Sequence, residues 1–143
     1  MAEPAGHPHR YELRVYYEDT DAGGVVYYAN YLGYAERART EMLRELGVES
    51  SRLMRNDNVA LAVRWCSVDY LRPAVLDDHL VVETSLQRLG GATFEVIQIV
   101  RRQDVDLVRI DLKLGCMSLY GGAARLPVVV REKLGGLINS NGS

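Results

Sequence analysis

The stretch Asn30-Tyr31-Leu32-Gly33-Tyr34-Ala35-Glu36-Arg37-Ala38-Arg39-Thr40-Glu41-Met42-Leu43-Arg44-Glu45-Leu46-Gly47 decides how the chain folds. Its apolar positions Tyr31, Leu32, Ala35, Ala38, Met42 and Leu46 are separated mostly by three and four residues. That spacing predicts a helix over residues 30–46 that buries one stripe. Arg37, Thr40, Glu41, Arg44 and Glu45 fall largely on the other side, and Arg37 with Glu41 forms an i,i+4 pair in the weaker order. Gly47 is a suitable residue to stop the helix. Gly33 costs about 1 kcal/mol inside a helix, which points to close approach of a strand or ligand there.

Downstream, residues 51–56 suit a short helical turn. Four strand candidates follow at residues 59–71, 80–89, 92–102 and 107–120. Gly90-Gly91 and residues 103–106 are the hairpin turns, and Pro73 with Asp77-Asp78 marks a looser connection. Short turns force antiparallel pairing, so the region is expected to run as a meander. Upstream, residues 11–17 alternate Tyr, Leu and Val with charge and predict one more strand. Residues 127–137 fit a short helix or a strand equally well. The sum is an α+β domain over residues 10–138, one helix against an antiparallel sheet, between loose tails at residues 1–9 and 139–143. One helix cannot cover a whole sheet, so a homo-oligomer is expected.

Composition excludes several classes. The chain has 143 residues, 48% apolar and 25% charged, which is ordinary for one globular domain and unlike a disordered chain, a collagen or a coiled coil. Seventeen basic against 19 acidic residues leave no basic footprint for nucleic acid. No run approaches 18 apolar residues and the N-terminus has no apolar h-region, so no membrane span or signal peptide is expected, and a cytoplasmic location is. Cys66 and Cys116 both lie in strand-like runs and read as reduced core thiols. No Cys/His cluster has zinc-ligand spacing.

One segment stands apart: Tyr17-Glu18-Asp19-Thr20-Asp21-Ala22-Gly23-Gly24-Val25-Val26-Tyr27-Tyr28-Ala29-Asn30. Acidic residues at a strand end meet a Gly pair, and a helix begins just beyond. Free N–H groups at a helix start favour a negative or polarised oxygen. A carboxylate beside such a donor suits acyl transfer: the one attacks a carbonyl or activates water, the other stabilises the developing oxyanion. An acidic turn followed by a capped helix would have the same composition. No Gly-x-Ser-x-Gly elbow, phosphate loop or dinucleotide fingerprint occurs. His7, His9 and His79 lie outside the segment, so no Ser-His-Asp triad has a candidate.

The run from Arg14 through Tyr27, continued by Asn30-Tyr31-Leu32 and residues 34–43, resembles the hotdog-fold acyl-CoA thioesterases of the 4-hydroxybenzoyl-CoA thioesterase superfamily. It is nearest to the Tol–Pal-associated bacterial group. Val68-Asp69-Tyr70-Leu71-Arg72-Pro73-Ala74 is a second matching block. The resemblance implies a long central helix wrapped by a curved antiparallel sheet, and a dimer or tetramer with sites at a subunit interface. It implies hydrolysis of a short-chain or aromatic acyl-CoA without metal or redox cofactor. The aspartate ending Asp19-Thr20-Asp21 becomes the catalytic carboxylate, as nucleophile or general base, and the Tyr28 main-chain N–H polarises the thioester carbonyl. Gly24, Val25, Tyr27, Asn30 and Glu36 are the substrate-binding residues that go with them. Close bacterial relatives carry His where this chain has Tyr28; the 4-hydroxybenzoyl-CoA enzymes carry Tyr. The resemblance also implies acyl carrier protein or phospholipid-synthesis enzymes as partners.

Two other classes compete. A thioester hydratase or dehydratase needs a His with its carboxylate, and none lies near the helix start. A non-catalytic acyl-thioester or acyl-carrier-protein binding subunit of the cell envelope would not need Asp21. Around the segment, Asp19 is expected to orient the loop, and Asp69 and Tyr70 to serve sheet and interface packing. Arg88, Arg101, Arg102 and Lys113 are candidate cations for the CoA diphosphate.

Overall fold

The computed structural model describes residues 8–142, with side chains described through Ile138. Strand β1 (His9–Arg14) leads into a single 3-10 turn (Tyr17–Asp19) and then into helix α1 (Asn30–Glu45). A helical turn α2 (Ser50–Arg52) and a π-type turn (Leu53–Asp57) precede β2 (Val59–Tyr70), β3 (His79–Leu89), β4 (Thr93–Arg102) and β5 (Val105–Ser118). Helix α3 (Val128–Gly142) closes the chain. All pairings are antiparallel, in the order β1-β3-β4-β5-β2.

Helix α1 lies on one face of this sheet, against β1, β3 and β4. It buries Tyr31, Tyr34, Ala35, Ala38, Met42 and Leu43. Ala35 and Ala38 are fully buried, and their small side chains let the helix sit close to the strands. Leu32 is not part of the stripe: it is 41% exposed. One residue on from Tyr31 is a rotation of about 100°, which carries Leu32 off the buried face. Gly33 has open space where a Cβ would stand, so the close approach expected there does not occur within this chain.

Beneath α1 the sheet presents Phe94, Val96 and Val100 from β4 and Ile110, Leu112 and Leu114 from β5, all buried. One polar side chain interrupts them. Gln98, fully buried, donates through Nε2 to Ala35 O (2.9 Å) and Thr84 Oγ1 (2.9 Å) and accepts from Arg39 Nη1 (3.0 Å). Every polar atom of that amide has a partner, which is what makes it tolerable in an apolar core.

Several expectations are corrected. The meander does not start at β2: that strand pairs with β5, not with β3. The link across 71–78 is the looser connection expected, and it carries the chain away from β2. Leu71 and Arg72 donate their N–H groups to Leu107 O, Pro73 has none to donate, and Ala74 and Val75 turn to the loop before α1. β1 stops at Arg14, because Asp19 Oδ2 accepts Tyr16 N–H (2.8 Å) and tightens the chain into the 3-10 turn. Cys116 is buried but Cys66 is exposed, since it lies on edge strand β2 beyond the cover of α1. The C-terminal segment is a helix, anchored on buried Val130 and Leu134, and it continues to Gly142 through most of the expected tail. Of the N-terminal tail, His9 already pairs with Thr84 in β1; residues 1–7, with His7, and Ser143 lie outside the described residues. No helix among the described residues is long and apolar enough to cross a membrane.

Candidate active site

The acidic segment folds back on itself as a small hairpin ahead of α1. Thr20 bridges Val26, Asp21 N–H donates to Val25 O (2.9 Å), and Tyr27 N–H donates to Asp19 O (2.9 Å). At the tip, Gly24 N–H returns to Asp21 O (3.0 Å) and Gly23 N–H binds Asp21 Oδ1 (2.8 Å). Gly24 has φ +81, a left-handed conformation that an L side chain resists. At Gly23 a Cβ would stand 3.2 Å from Asp21 Oδ1. The Gly pair is therefore what lets the turn close against the Asp21 carboxylate. That carboxylate is exposed, and among the described residues only Oδ1 is engaged.

Asp19 is the hub of the loop, as expected. Its side chain holds Tyr16 N–H, and its carbonyl holds both Tyr27 N–H and Asn30 Nδ2 (2.8 Å). The buried Tyr34 ring sits beneath; burial pushes its phenol well above the ordinary range, with the Asp19 charge adding to the shift. Asn30 thus serves the loop through its side chain while its N–H caps Tyr27 O (2.9 Å).

These bonds account for the amides of Asp21, Gly23, Gly24, Val26, Tyr27 and Asn30. The N–H groups of Ala22, Val25, Tyr28 and Ala29 have no partner among the described residues, and of these four residues Tyr28 is the one that lines a cleft. It stands at the opening of α1, where the helix leaves N–H groups unpaired and adds a partial positive charge. Beside it is a cleft of about 250 Å³ walled by Val26, Tyr28, Tyr31, Tyr70 and the 71–73 segment. Tyr70 meets Tyr28 edge-on (centroids 6.2 Å, 88°) and lies 5.8 Å from Tyr31. Tyr27 stacks at a tilt on Tyr28 (4.8 Å, 48°), and the neighbouring Tyr28 phenol raises its own above the usual value.

Asp21, Gly24, Val25, Tyr27, Tyr28 and Asn30 are thus on one short hairpin and helix start. Glu36 is not with them in this chain. It is exposed on α1 and lines a separate pocket of about 290 Å³ with Arg39, Thr40 and Leu61. Three of the four candidate phosphate cations are already paired: Arg88 with Glu95 (3.6 Å), Arg101 with Glu83 and Asp106 (2.9 and 2.7 Å), and Arg102 with Asp78 (2.7 Å). Sequence reasoning read Tyr70 as packing and gave Tyr31 only a place in the stripe. Both wall the cleft, and Tyr31 Oη accepts Ala74 N–H (2.9 Å), tying the β2–β3 link to α1. The signal for this was the second matching block, which ends in that link.

Residues 23–109 match the Thioesterase superfamily. The chain belongs to that superfamily. The match covers more than half of the sequence and begins at the Gly pair beside Asp21. The acyl-CoA thioesterase YbgC of Haemophilus influenzae is 44% identical over 109 residues, 76% of this chain and 80% of that protein. The 1,4-dihydroxy-2-naphthoyl-CoA hydrolase of Nostoc punctiforme is 33% identical over 108 residues, 76% of this chain and 73% of its own. The crystal structure of a probable thioesterase from Bartonella henselae superposes with TM-score 0.81 at 34% identity, over 84% of this chain and 99% of the other. The helix wrapped by a five-stranded antiparallel sheet is the hotdog fold, and the chain is a thioester hydrolase.

Proposed function

We propose that this thioesterase cleaves acyl-CoA esters, short-chain or aromatic, with Asp21 and the Tyr28 main-chain N–H as its working groups. One observation carries the reading. A solvent-open carboxylate and a partnerless amide are held by the same hydrogen-bonded hairpin, at a helix start and beside an aromatic-walled cleft. The thioester oxygen accepts from Tyr28 N–H, which gains strength as negative charge builds on that oxygen. Asp21 meets the carbonyl carbon directly or removes the proton from an attacking water. On the first route an Asp21 oxygen bonds the carbonyl carbon as the C–S bond breaks, and water then hydrolyses the mixed anhydride; on the second, water forms the C–O bond as C–S breaks; on both, CoA leaves as a thiolate that takes up a proton. A thiolate is a good leaving group, so the site needs no strong general acid and the Tyr28 side chain need not replace a His.

Gly24 and Val25 shape the turn that meets the ester, and Tyr27 and Asn30 brace the helix start. Glu36 reaches a site across an interface rather than within one chain. Edge strand β2 supports that arrangement: it carries exposed Val63, Trp65 and Tyr70, with Leu71 just beyond its end, and a second copy paired there would form a homo-oligomer. An acyl carrier protein as partner would supply the same thioester on a phosphopantetheine arm.

The test is hydrolysis of a panel of benzoyl-CoA and aliphatic CoA esters of graded length, followed by release of free thiol. Turnover of at least one aromatic or short ester is expected. Tight binding with no turnover of any member would instead make the chain an acyl-thioester binding subunit.

A further inference from the structure

The carbonyl of Tyr28 is an acceptor that α1 leaves over. In a regular helix the N–H four residues on, that of Leu32, would take it. Here Leu32 N–H bonds to Ala29 O instead (3.2 Å). The place is filled from the far side of the cleft: Tyr70 Oη, on the last residue of β2, donates to Tyr28 O at 3.1 Å. The two residues are 42 positions apart in the chain.

This bond braces the amide that the proposed function relies on. The Tyr28 N–H shares a rigid peptide plane with Tyr27 C=O, and that carbonyl is held by Asn30 N–H (2.9 Å). The following plane, carrying Tyr28 C=O, is held by Tyr70. The N–H direction is thus clamped on both sides of the Tyr28 Cα. The clamp itself is anchored, since Leu71 and Arg72, next in sequence, both donate to Leu107 O at the β5 end (2.8 and 3.0 Å). A tyrosine phenol is an O–H donor at neutral pH, and burial raises that of Tyr70 further above its ordinary value.

We infer that Tyr70 is a positioning residue: its hydroxyl aims the Tyr28 main-chain N–H at the thioester oxygen without touching the substrate. The inference rests on the reading of Tyr28 given above. It gives a use to a half-exposed tyrosine at the end of β2 whose hydroxyl bonds to the helix start.

The experiment is Tyr70→Phe, which keeps the cleft wall and removes only the donor. A misaimed catalytic donor acts on the transition state more than on binding. On the best ester of the panel, kcat should fall about tenfold, KM should stay within about twofold, and the thermal midpoint should not move. Hydrogen–deuterium exchange should rise over residues 27–32 and nowhere else. A kcat within twofold of wild type overturns the inference, as does a raised KM with kcat kept, which would make Tyr70 a binding wall. A lowered midpoint with faster exchange throughout also overturns it, by making the residue merely structural. Asp21→Asn in the same assay separates this from the parent reading: full activity there sinks the role of the hairpin, and the exchange data still decide whether the hydroxyl holds the helix start.

Discussion

The sheet under α1 and the hairpin before it are held together by different forces. On β4 and β5 the inner residues Phe94, Val96, Ile110, Leu112 and Leu114 are all nearly inaccessible, and burial of apolar area stabilises them. The hairpin across 19–28 buries little beyond Val26; it is a lattice of main-chain bonds converging on Asp19 and Asp21. An apolar core has no place for an unpaired charge or amide, while a bonded loop at the surface can keep a carboxylate and an N–H open to a ligand. The core carries stability and the hairpin carries chemistry, joined through Tyr31, Tyr34 and Asn30 at the head of the helix.

That division can be broken from either side. The largest effect on stability is expected at Phe94, 1% exposed. Phe94→Ala should cost about 3–5 kcal/mol in denaturant unfolding, with near-normal kcat in whatever fraction stays folded. A kcat loss exceeding the loss of folded protein would mean that core and site are not separable. A smaller effect is expected at Gly24. Nothing lies within 4 Å of a Cβ there, so Gly24→Ala meets no clash and only the backbone conformation at φ +81 resists it. Stability should drop by about 1–2 kcal/mol, while turnover drops by a larger factor than that figure implies, because the turn that presents Asp21 is re-formed. Equal losses in both would show that the tip has no special role.

The elements were legible wherever periodicity reports burial. Three- and four-residue steps located α1 to within a residue, and alternation located the later strands to within about two. Periodicity says which face of an element is buried and not which strand lies beside it. The place of β2 was therefore invisible: it follows from a link whose backbone bonds go to Leu107 and Val26, far away in sequence. The exposure of Cys66 is a consequence of that same edge position. At the site, the Gly pair and the acids revealed a turn with a carboxylate, and Asp19 emerged as its organiser by ordinary loop chemistry. The choice of the Tyr28 amide rests on family resemblance alone, since an unpaired N–H leaves no mark on composition. The Tyr70 hydroxyl on Tyr28 O is a tertiary contact, and local sequence reasoning could see there only a tyrosine in a strand.

The central claim is that a carboxylate side chain and a main-chain donor serve one thioester. Single-turnover hydrolysis by Asp21→Asn and Tyr28→Phe, measured against wild type at matched folding, tests it most directly. The account predicts a loss of at least about 10²-fold for Asp21→Asn and a change of less than about threefold for Tyr28→Phe, whose main chain is intact. Undiminished turnover in Asp21→Asn, or a collapse in Tyr28→Phe, would contradict it.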